Sequence, residues 1–176
     1  MKKYGLALLF ALLATSIQAK DDVYIGLEFG ASRFNAETTA SSNPADVGEH
    51  HDGYSTYQVL RLGKYFDAHR VSFAFDAGRE IGFDYDYFFD PLSFAQSLSP
   101  YIGTGVHYNT VQYIDNVSAK GLRIPLSVGL EYVLDDKFSL NTGLRLDFSS
   151  YETSGASYDY KSSGSSSLFV AILYKL

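Results

Sequence analysis

The sequence of 176 residues contains no cysteine, no tryptophan and a single methionine. Without cysteine the chain can form no disulfide, so its stability must come from its fold and its environment. After residue 19 no apolar run approaches the ~18 residues of a membrane-spanning helix, which argues against a helical membrane protein. In contrast, tyrosine, phenylalanine and glycine are abundant, with 15, 13 and 15 residues. This composition favours strands and turns over helices.

The first nineteen residues have the parts of a secretory signal peptide. Lys2 and Lys3 give a basic start, an apolar run extends from Leu6 to Ala14, and small residues precede a cleavage position before Lys20. The alternative is a retained N-terminal anchor, for which this apolar run is short. We therefore predict that residues 1–19 are a signal peptide removed on export, and that residues 20–176 form one domain.

The charge balance and the motifs exclude several classes of function. The net charge is −6, and loss of Lys2 and Lys3 makes it −8, whereas a nucleic-acid-binding surface needs a basic patch. No phosphate-binding glycine loop and no zinc-ligand spacing occurs. The stretch Glu49–Asp52 (EHHD) is the one cluster that resembles a metal site, and a solvated loop is its simpler interpretation. We predict no nucleic-acid partner, no cofactor and no metal.

Apolar and polar residues alternate along most of the chain with a period of two. In the seventh predicted strand Phe138, Leu144 and Phe148 share one face, while Arg145 and Asp147 share the other. A period of two is typical of strands that separate two different environments. Eight such segments of roughly ten residues occur, which is the length that crosses a bilayer at a tilt.

The second predicted strand, at about residues 54–66, has an ambiguous pattern. Tyr57 and Val59 favour one parity, whereas Leu60 and Leu62 favour the other. We place Leu60 and Leu62 outward, which puts Arg61 inside, and we allow for a bulge.

The connections between the predicted strands alternate between short and long. Residues 67–69 and 135–137 read as tight turns, and three longer polar segments read as loops, at residues 36–53, 114–123 and 153–166. Two connections break this alternation, since the one at 78–80 is short and the one at 91–99 is long. Short turns at one end and long loops at the other are typical of a transmembrane barrel.

The chain ends on an apolar stripe that a closing strand of a barrel would explain. In SLFVAILYKL every second residue is apolar or aromatic, from Leu168 to Leu176. A terminal strand that faces lipid and pairs on both sides leaves no open edge. The ending also resembles the C-terminal assembly signal of bacterial outer-membrane proteins, with Tyr174 third from the end and the apolar Leu176 last.

These features together carry a resemblance to a known family. PYIGTGVHYN at residues 100–109 is similar to the strand with a leading proline and alternating glycines that is common among small outer-membrane barrels. With the C-terminal pattern, the whole mature chain resembles eight-stranded barrels of the OmpA/OmpX type. The resemblance implies an all-β, eight-stranded, antiparallel up-and-down transmembrane barrel. It also implies a monomer in the outer membrane of a Gram-negative-type bacterium, with lipid and the barrel-assembly machinery as partners.

The polar faces are predicted to point into the barrel, because carboxylates are costly on an apolar face. An interior of this size is just wide enough for side chains to fill it, so charges there must pair or keep water. We interpret them as a structural network, which the family uses as a plug, with a proton or ion path as the alternative. Lys175 and His107 are further candidates. The charged residues predicted to line the interior are Glu28, Arg61, Asp76, Asp84, Asp86, Glu131, Arg145 and Asp147.

Catalysis is not predicted. Outer-membrane deacylases resemble serine hydrolases and need a histidine and a serine two positions apart on one strand face. His107 is followed two positions later by Asn109, and no His-x-Ser occurs in the sequence.

The sequence therefore predicts an outer-membrane barrel that contributes to envelope integrity. A surface adhesin or receptor that binds through its loops is an alternative, for which Tyr151, Tyr158 and Tyr160 are candidates. These tyrosines also fit a girdle at the membrane interface. The pattern also allows a narrow, porin-like pore. A soluble lipocalin-like barrel in the periplasm is a further hypothesis, which would need apolar residues inside and polar residues outside.

Overall fold

The computed structural model describes residues 23–40, 49–76, 79–112, 118–154 and 158–176, with the backbone alone at several strand ends. These residues form eight strands and no helix, and thus no helix able to cross a membrane. The predicted signal peptide lies outside them. The strands are β1 (Val23–Ala40), β2 (Glu49–Phe66), β3 (His69–Asp76), β4 (Glu80–Phe88), β5 (Leu98–Gln112), β6 (Ser118–Val133), β7 (Phe138–Ser154) and β8 (Tyr158–Lys175).

The sheet closes on itself. Each strand pairs antiparallel with its neighbours in sequence, and β8 pairs with β1. The predicted all-β, eight-stranded antiparallel barrel is confirmed.

The pairing registers fix the tilt of the strands. Following paired residues once around the barrel from Val23 leads back to β1 at Arg33, which is ten positions further along. A displacement of this size goes with strands inclined by roughly 40° to the barrel axis. The residues on this path are Val23, Lys64, Val71, Tyr85, Thr104, Leu126, Leu146, Ser166 and Arg33.

The outer face of the barrel is an apolar belt. On β7, for example, Leu144 and Phe148 are 57% and 56% exposed, while Arg145 between them is 4% exposed. This polarity is the reverse of what the soluble lipocalin-like hypothesis requires, and it is typical of barrels whose outer face meets lipid. Other members of the belt are Ile25, Leu27, Phe29, Val71, Phe75, Phe83, Ile102, Val106, Ile124, Leu126, Val128, Leu168, Val170 and Ile172.

The wall of the barrel is uneven in height. β3 and β4 have eight and nine residues, whereas the other six strands have between 15 and 18. Apolar outward residues continue to Phe75 at the end of β3 and begin again at Ile81 in β4. The β3–β4 turn therefore lies at the rim of the apolar belt, and six taller strands extend beyond it.

The predicted loops at 36–53, 114–123 and 153–166 are largely strand, so these predictions were wrong in extent. β1 continues to Ala40, β2 begins at Glu49, and β8 begins at Tyr158. The polar composition of these segments reflects their position beyond the apolar belt. It does not prevent pairing, because the ladder continues there along neighbouring strands.

The turns agree better with the sequence. Asp67 forms the tight β2–β3 turn with a φ of 53°, a left-handed conformation that aspartate tolerates. In the β6–β7 turn the Asp135 carboxylate accepts hydrogen bonds of 2.8 Å from the backbone N–H groups of Lys137 and Phe138. These bonds lower the pKa of the Asp135 carboxyl. The β3–β4 connection is short and the β4–β5 connection is long, as the sequence indicated.

The second strand needs no bulge against β1. Its register with β1 is continuous from Lys64 to Glu49, and Leu60 points outward while Arg61 is buried inside. Val59, only 3% exposed, also faces the interior. The register shift lies elsewhere, between β1 and β8, close to Gly164 with its φ of 117°.

Candidate functional site: the charged barrel interior

The interior of the barrel is polar and charged. Of the eight charged residues that the sequence placed inside, all except Asp76 are buried. Their side chains point inward because they alternate with the apolar residues of the belt. The buried charged residues and histidine are Glu28, Arg61, Arg70, Asp84, Asp86, His107, Glu131, Arg145 and Asp147.

Arg61 of β2 is the centre of the network. Its Nε lies 2.6 Å from Oε2 of Glu28 in β1, and its Nη1 lies 2.6 Å from Oδ2 of Asp84 in β4. Arg145 of β7 donates from Nη1 to Oε1 of Glu28 over 2.8 Å. These contacts join four strands across the lumen. Glu28 is bonded to two arginines, and Asp84 is bonded to Arg61 and to a histidine of β5. A buried charge is tolerated when it is paired and hydrogen-bonded in this way.

The network continues toward the end of the barrel that carries the β3–β4 turn. His107 of β5 lies between two carboxylates of β4, with Nε2 2.8 Å from Oδ1 of Asp84 and Nδ1 in contact with Oε1 of Glu80. Glu80 also contacts Nη2 of Arg123 in β6, whose Nε lies 3.6 Å from Oδ1 of Asp147. We call the set of Glu28, Arg61, Asp84, His107, Glu80, Arg123, Asp147 and Arg145 the outer chain.

A second cluster lies nearer the chain termini and is centred on Arg70 of β3. Its Nε donates to Asp86 over 2.9 Å and its Nη1 to Glu131 over 3.0 Å. The hydroxyl of Tyr65 also donates to Glu131, over 2.8 Å. We call Arg70, Asp86, Glu131 and Tyr65 the inner cluster. The guanidinium lies within 4.9 to 5.8 Å of the centres of four rings, those of Tyr24, Tyr65, Phe88 and Tyr101.

Rings and glycines fill the space between the charges. A Cβ at Gly63 would lie 2.7 Å from the ring of Tyr24, and one at Gly129 would lie 2.5 Å from the hydroxyl of Tyr101. The hydroxyl of Tyr101 donates to Oδ1 of Asn141 over 2.6 Å. The central cavity between the two clusters has a volume of only about 10 Å³. That is at most the space of a single water molecule.

Three charged members of these networks, Arg70, Glu80 and Arg123, were not predicted from the sequence, and neither was Tyr65. Arg70 and Glu80 each precede an outward apolar residue, Val71 and Ile81, so strict alternation would have placed both inside. Arg123 lies at the end of a segment whose polar composition predicts a loop. Lys175, a further candidate, lies half-buried with its Nζ 5.5 Å from the centre of the Tyr65 ring.

Asp76 does not join the network. It is the last residue of β3, pairs with Glu80 across the β3–β4 turn, and is half-exposed. Its backbone carbonyl accepts a hydrogen bond from the N–H of Arg79 over 3.1 Å. None of the ion pairs among the described residues includes it, because the strand ends at the rim of the belt.

The predicted assembly residues lie on the outside of the closing strand. Tyr174 packs its ring 5.0 Å from that of Phe138, and the N–H of Leu176 donates to the carbonyl of Val23 over 2.9 Å. The last residue is therefore joined to the first strand. The EHHD stretch begins β2, and its side chains lie outside the described residues.

Comparison with known proteins gives matches at the level of structure. No protein-family model and no curated sequence matches the chain. Neisserial surface protein A aligns with a TM-score of 0.60 and 14% identity, over 88% of this chain and 97% of that one. The N-terminal barrel domain of OprF from Pseudomonas aeruginosa gives 0.52 and 12%, over 85% and 97%. OprG from the same organism gives 0.51 and 10%, over 89% and 97%.

The chain has the fold of the small eight-stranded outer-membrane barrels. At these identities the likeness concerns the fold alone, and the residues of the interior must be interpreted from their own geometry.

Proposed function

We propose that the chain is an integral outer-membrane barrel with a closed interior and a structural role in the cell envelope. The observation that carries the proposal is the network across the lumen, with a cavity of about 10 Å³ at its centre. An open pore would need a continuous water path, whereas here a line of ion pairs crosses the lumen from Arg145 of β7 through Glu28 and Arg61 to Asp84 of β4. The apolar belt supports residence in a membrane, where lipid would cover it.

Conductance in planar bilayers tests the closed interior. The purified, refolded barrel is expected to give no steady conductance. Arg145→Ala leaves Glu28 with one partner fewer and should produce transient, cation-preferring leaks. Arg79→Ala is the matched control, because Arg79 lies exposed in the β3–β4 turn. Large, stable channels from the unmodified protein would contradict the proposal and favour the narrow pore.

Residence in the membrane has a separate test. The folded protein should fractionate with outer membranes, resist extraction by carbonate, and change its mobility on a denaturing gel after boiling. Deleting residues 174–176 removes part of the lipid-facing stripe and the bond from Leu176 to Val23, so this variant should fail to accumulate. Recovery of the unmodified chain as a soluble periplasmic protein, or normal accumulation of the shortened chain, would count against the corresponding part of the proposal.

A second candidate function, adhesion or reception, is favoured by an open strand edge. β2 pairs with β3 only as far as Leu60, so its residues 49–59 have β1 on one side and no described strand on the other. From Gly53 to Val59 this edge carries no charge and no proline, which are the usual protections of an edge strand. A depression of about 730 Å³ lies beside it, with Thr56, Gln58 and Arg79 among its lining residues.

The partner that fits this edge is an extended peptide segment of another protein, added as a strand. A second copy fits poorly. Two copies in one membrane are related by an axis along the membrane normal, and strands tilted by roughly 40° would then cross instead of pairing.

Thr56→Lys places a charge on the open edge, and Ser150→Lys makes the same change at an exposed position of β7. Binding of the purified barrel to matrix-coated surfaces or host cells is expected to fall for the first variant only. Equal binding by both variants would contradict the edge as the contact site.

A further inference from the structure

The outer chain crosses a break in the barrel wall. In the β5–β6 ladder the pairs run without interruption to Thr104 and Leu126, and they resume at His107 and Arg123. The register is the same on both sides of this gap, which contains Pro125, fully buried on the inner face. Proline has no N–H to donate to the neighbouring strand. The ladder therefore lacks the one bond that residue 125 would donate to β5, two positions from Arg123.

Charged side chains hold the strands together at this break. His107, with no exposed surface, contacts Asp84 and Glu80 of β4, and Glu80 contacts Arg123 of β6. Arg123 reaches on to Asp147 of β7. Four consecutive strands, β4 to β7, are thus joined through side chains where the β5–β6 pair lacks one backbone bond.

The number of protons on His107 follows from its partners. A neutral imidazole has one N–H, so it can donate to either Asp84 or Glu80, and the other carboxylate then faces a ring nitrogen lone pair. Nη2 of Arg123 also lies 3.1 Å from Nδ1. If Nδ1 carried no proton and accepted a hydrogen bond from Arg123, Oε1 of Glu80 would still face the lone pair of Nδ1, and the two would repel each other. With a proton on Nδ1, both His107 and Arg123 donate to Glu80, and both carboxylates of β4 have a donor from the ring. The 3.1 Å approach of Nη2 to Nδ1 is then a contact between two donors, which the carboxylate that they share offsets.

The charge of the outer chain leads to the same result. It contains four carboxylates and three guanidinium groups, so it balances only when the imidazole is charged. An uncompensated charge in the interior would be costly. The inner cluster also has one carboxylate in excess, but Lys175 lies nearby, with its Nζ 5.5 Å from the centre of the Tyr65 ring. The carboxylates are Glu28, Glu80, Asp84 and Asp147, and the guanidinium groups are Arg61, Arg123 and Arg145.

We propose that His107, doubly protonated, is a latch that holds β5 and β6 together beside Pro125, where a backbone bond is missing, and that loss of one of its protons loosens the wall at that end. The groups that face the ring are Glu80 and Asp84 from β4 and Arg123 from β6, with Arg61 of β2 and Asp147 of β7 one contact further away. Deprotonation leaves one carboxylate of β4 without its donor, so the strands on either side of His107 lose a shared contact.

Stability against heat at two pH values tests the latch. The latch requires His107 to keep both of its ring protons, whereas a histidine of the unfolded chain loses one of them in the ordinary imidazole pH range. In that pH range the folded state therefore binds more protons than the unfolded state, and the stability of the fold decreases as pH rises. The refolded barrel should unfold at a temperature several degrees lower at about pH 9 than at about pH 6, as measured by the change of gel mobility. His107→Gln should lose this difference. His69→Gln is the control, since His69 is exposed and bonds only to the hydroxyl of Tyr85, and it should keep the difference.

A second variant tests the same inference with His107 in place. In Glu80→Gln a neutral ring can donate from Nε2 to Asp84 and accept at Nδ1, so the pH difference should again disappear although the histidine remains. If either variant fails to fold, the other one and the control still decide. An unmodified barrel without the pH difference, or a difference that persists in His107→Gln or Glu80→Gln, would overturn the latch. Neither outcome depends on whether the barrel conducts.

Discussion

The inner cluster and the outer chain are both buried networks of arginine and carboxylate, but their surroundings differ. Arg70 is enclosed by four aromatic rings, whereas Arg61 contacts carboxylates and a serine. An arginine that packs on ring faces gains attraction that does not depend on any single acid. In the outer chain the charges are held mainly by one another, and the one ring contact is that of Arg145 with Phe169, at 4.6 Å from the ring centre, among the described residues. We therefore expect the outer chain to be sensitive to the loss of any member, and the inner cluster to be more tolerant.

The largest effect is expected at the centre of the outer chain. Arg61→Met removes one partner from Glu28 and one from Asp84, and loss of a partner within a buried ion pair costs about 3–5 kcal/mol. Urea unfolding of the refolded barrel, followed by gel mobility, measures the change. Arg79→Met, in the exposed β3–β4 turn, should cost less than about 1 kcal/mol. Similar losses in the two variants would mean that the network contributes little.

A smaller effect is expected for the same substitution in the inner cluster. Here Arg70→Met is made together with Asp86→Asn, because Asp86 would otherwise lose its bond from Arg70 and remain a buried charge. The Tyr65 hydroxyl still donates to Glu131, and a hydrogen bond to a charged group contributes about 1.5–3 kcal/mol. The methionine can also pack against the four rings. We expect a loss of about 2 kcal/mol in the same unfolding assay. Arg70→Lys, which keeps the charge, is the companion variant and should lose less. If Arg70→Met with Asp86→Asn destabilises the barrel more than Arg61→Met, the contrast between the two clusters is wrong.

The inner cluster and the outer chain also differ in the atoms that surround the glycines next to their aromatic rings. A Cβ at Gly129 would meet the backbone oxygen of Thr142 as well as the ring of Tyr101, whereas the three atoms nearest to a Cβ at Gly30 all belong to the side chain of Tyr57. Overpacking against backbone cannot be relieved by a rotamer change, so Gly129→Ala should cost about 1–3 kcal/mol. Gly30→Ala should cost less, because the end of Tyr57 can move.

Combining Gly30→Ala with Tyr57→Leu checks this explanation. The second substitution should recover part of the loss at Gly30, whereas the corresponding pair Gly129→Ala and Tyr101→Leu should show no recovery, since the contact with Thr142 remains. Recovery in both pairs would show that rings alone limit these positions.

The sequence predicts the features of this barrel that depend on neighbouring residues, and it misses those that depend on residues far apart in the chain. Alternation is local, so it placed Leu144 outward and Arg145 inward without any knowledge of the partner strands. The pairs inside the lumen are not local, since Glu28 and Arg145 are separated by 117 positions and meet only because the closed barrel leaves just β8 between β1 and β7. The extent of the strands was missed for another reason. Polarity reports contact with solvent, and a strand that rises beyond the apolar belt is polar on both faces.

The smallest effect is expected for an exposed charged residue in the β6–β7 turn. The Asp135 carboxylate is fully exposed and accepts hydrogen bonds from two backbone N–H groups of its turn, which lower its pKa. A lowered pKa in the folded state means that the contribution of this group is present above the ordinary aspartate pKa and is lost as pH falls through it, at about pH 4 and below. Asp135→Ala should therefore lower the unfolding temperature slightly at neutral pH, and the two proteins should converge in acid. The His107 latch loses stability in the opposite direction, as pH rises, so the pH profiles of the two variants separate the exposed turn from the buried chain. A gap between Asp135→Ala and the unmodified barrel that stays constant from neutral pH into acid would show that the turn depends on the shape of the aspartate and not on its charge.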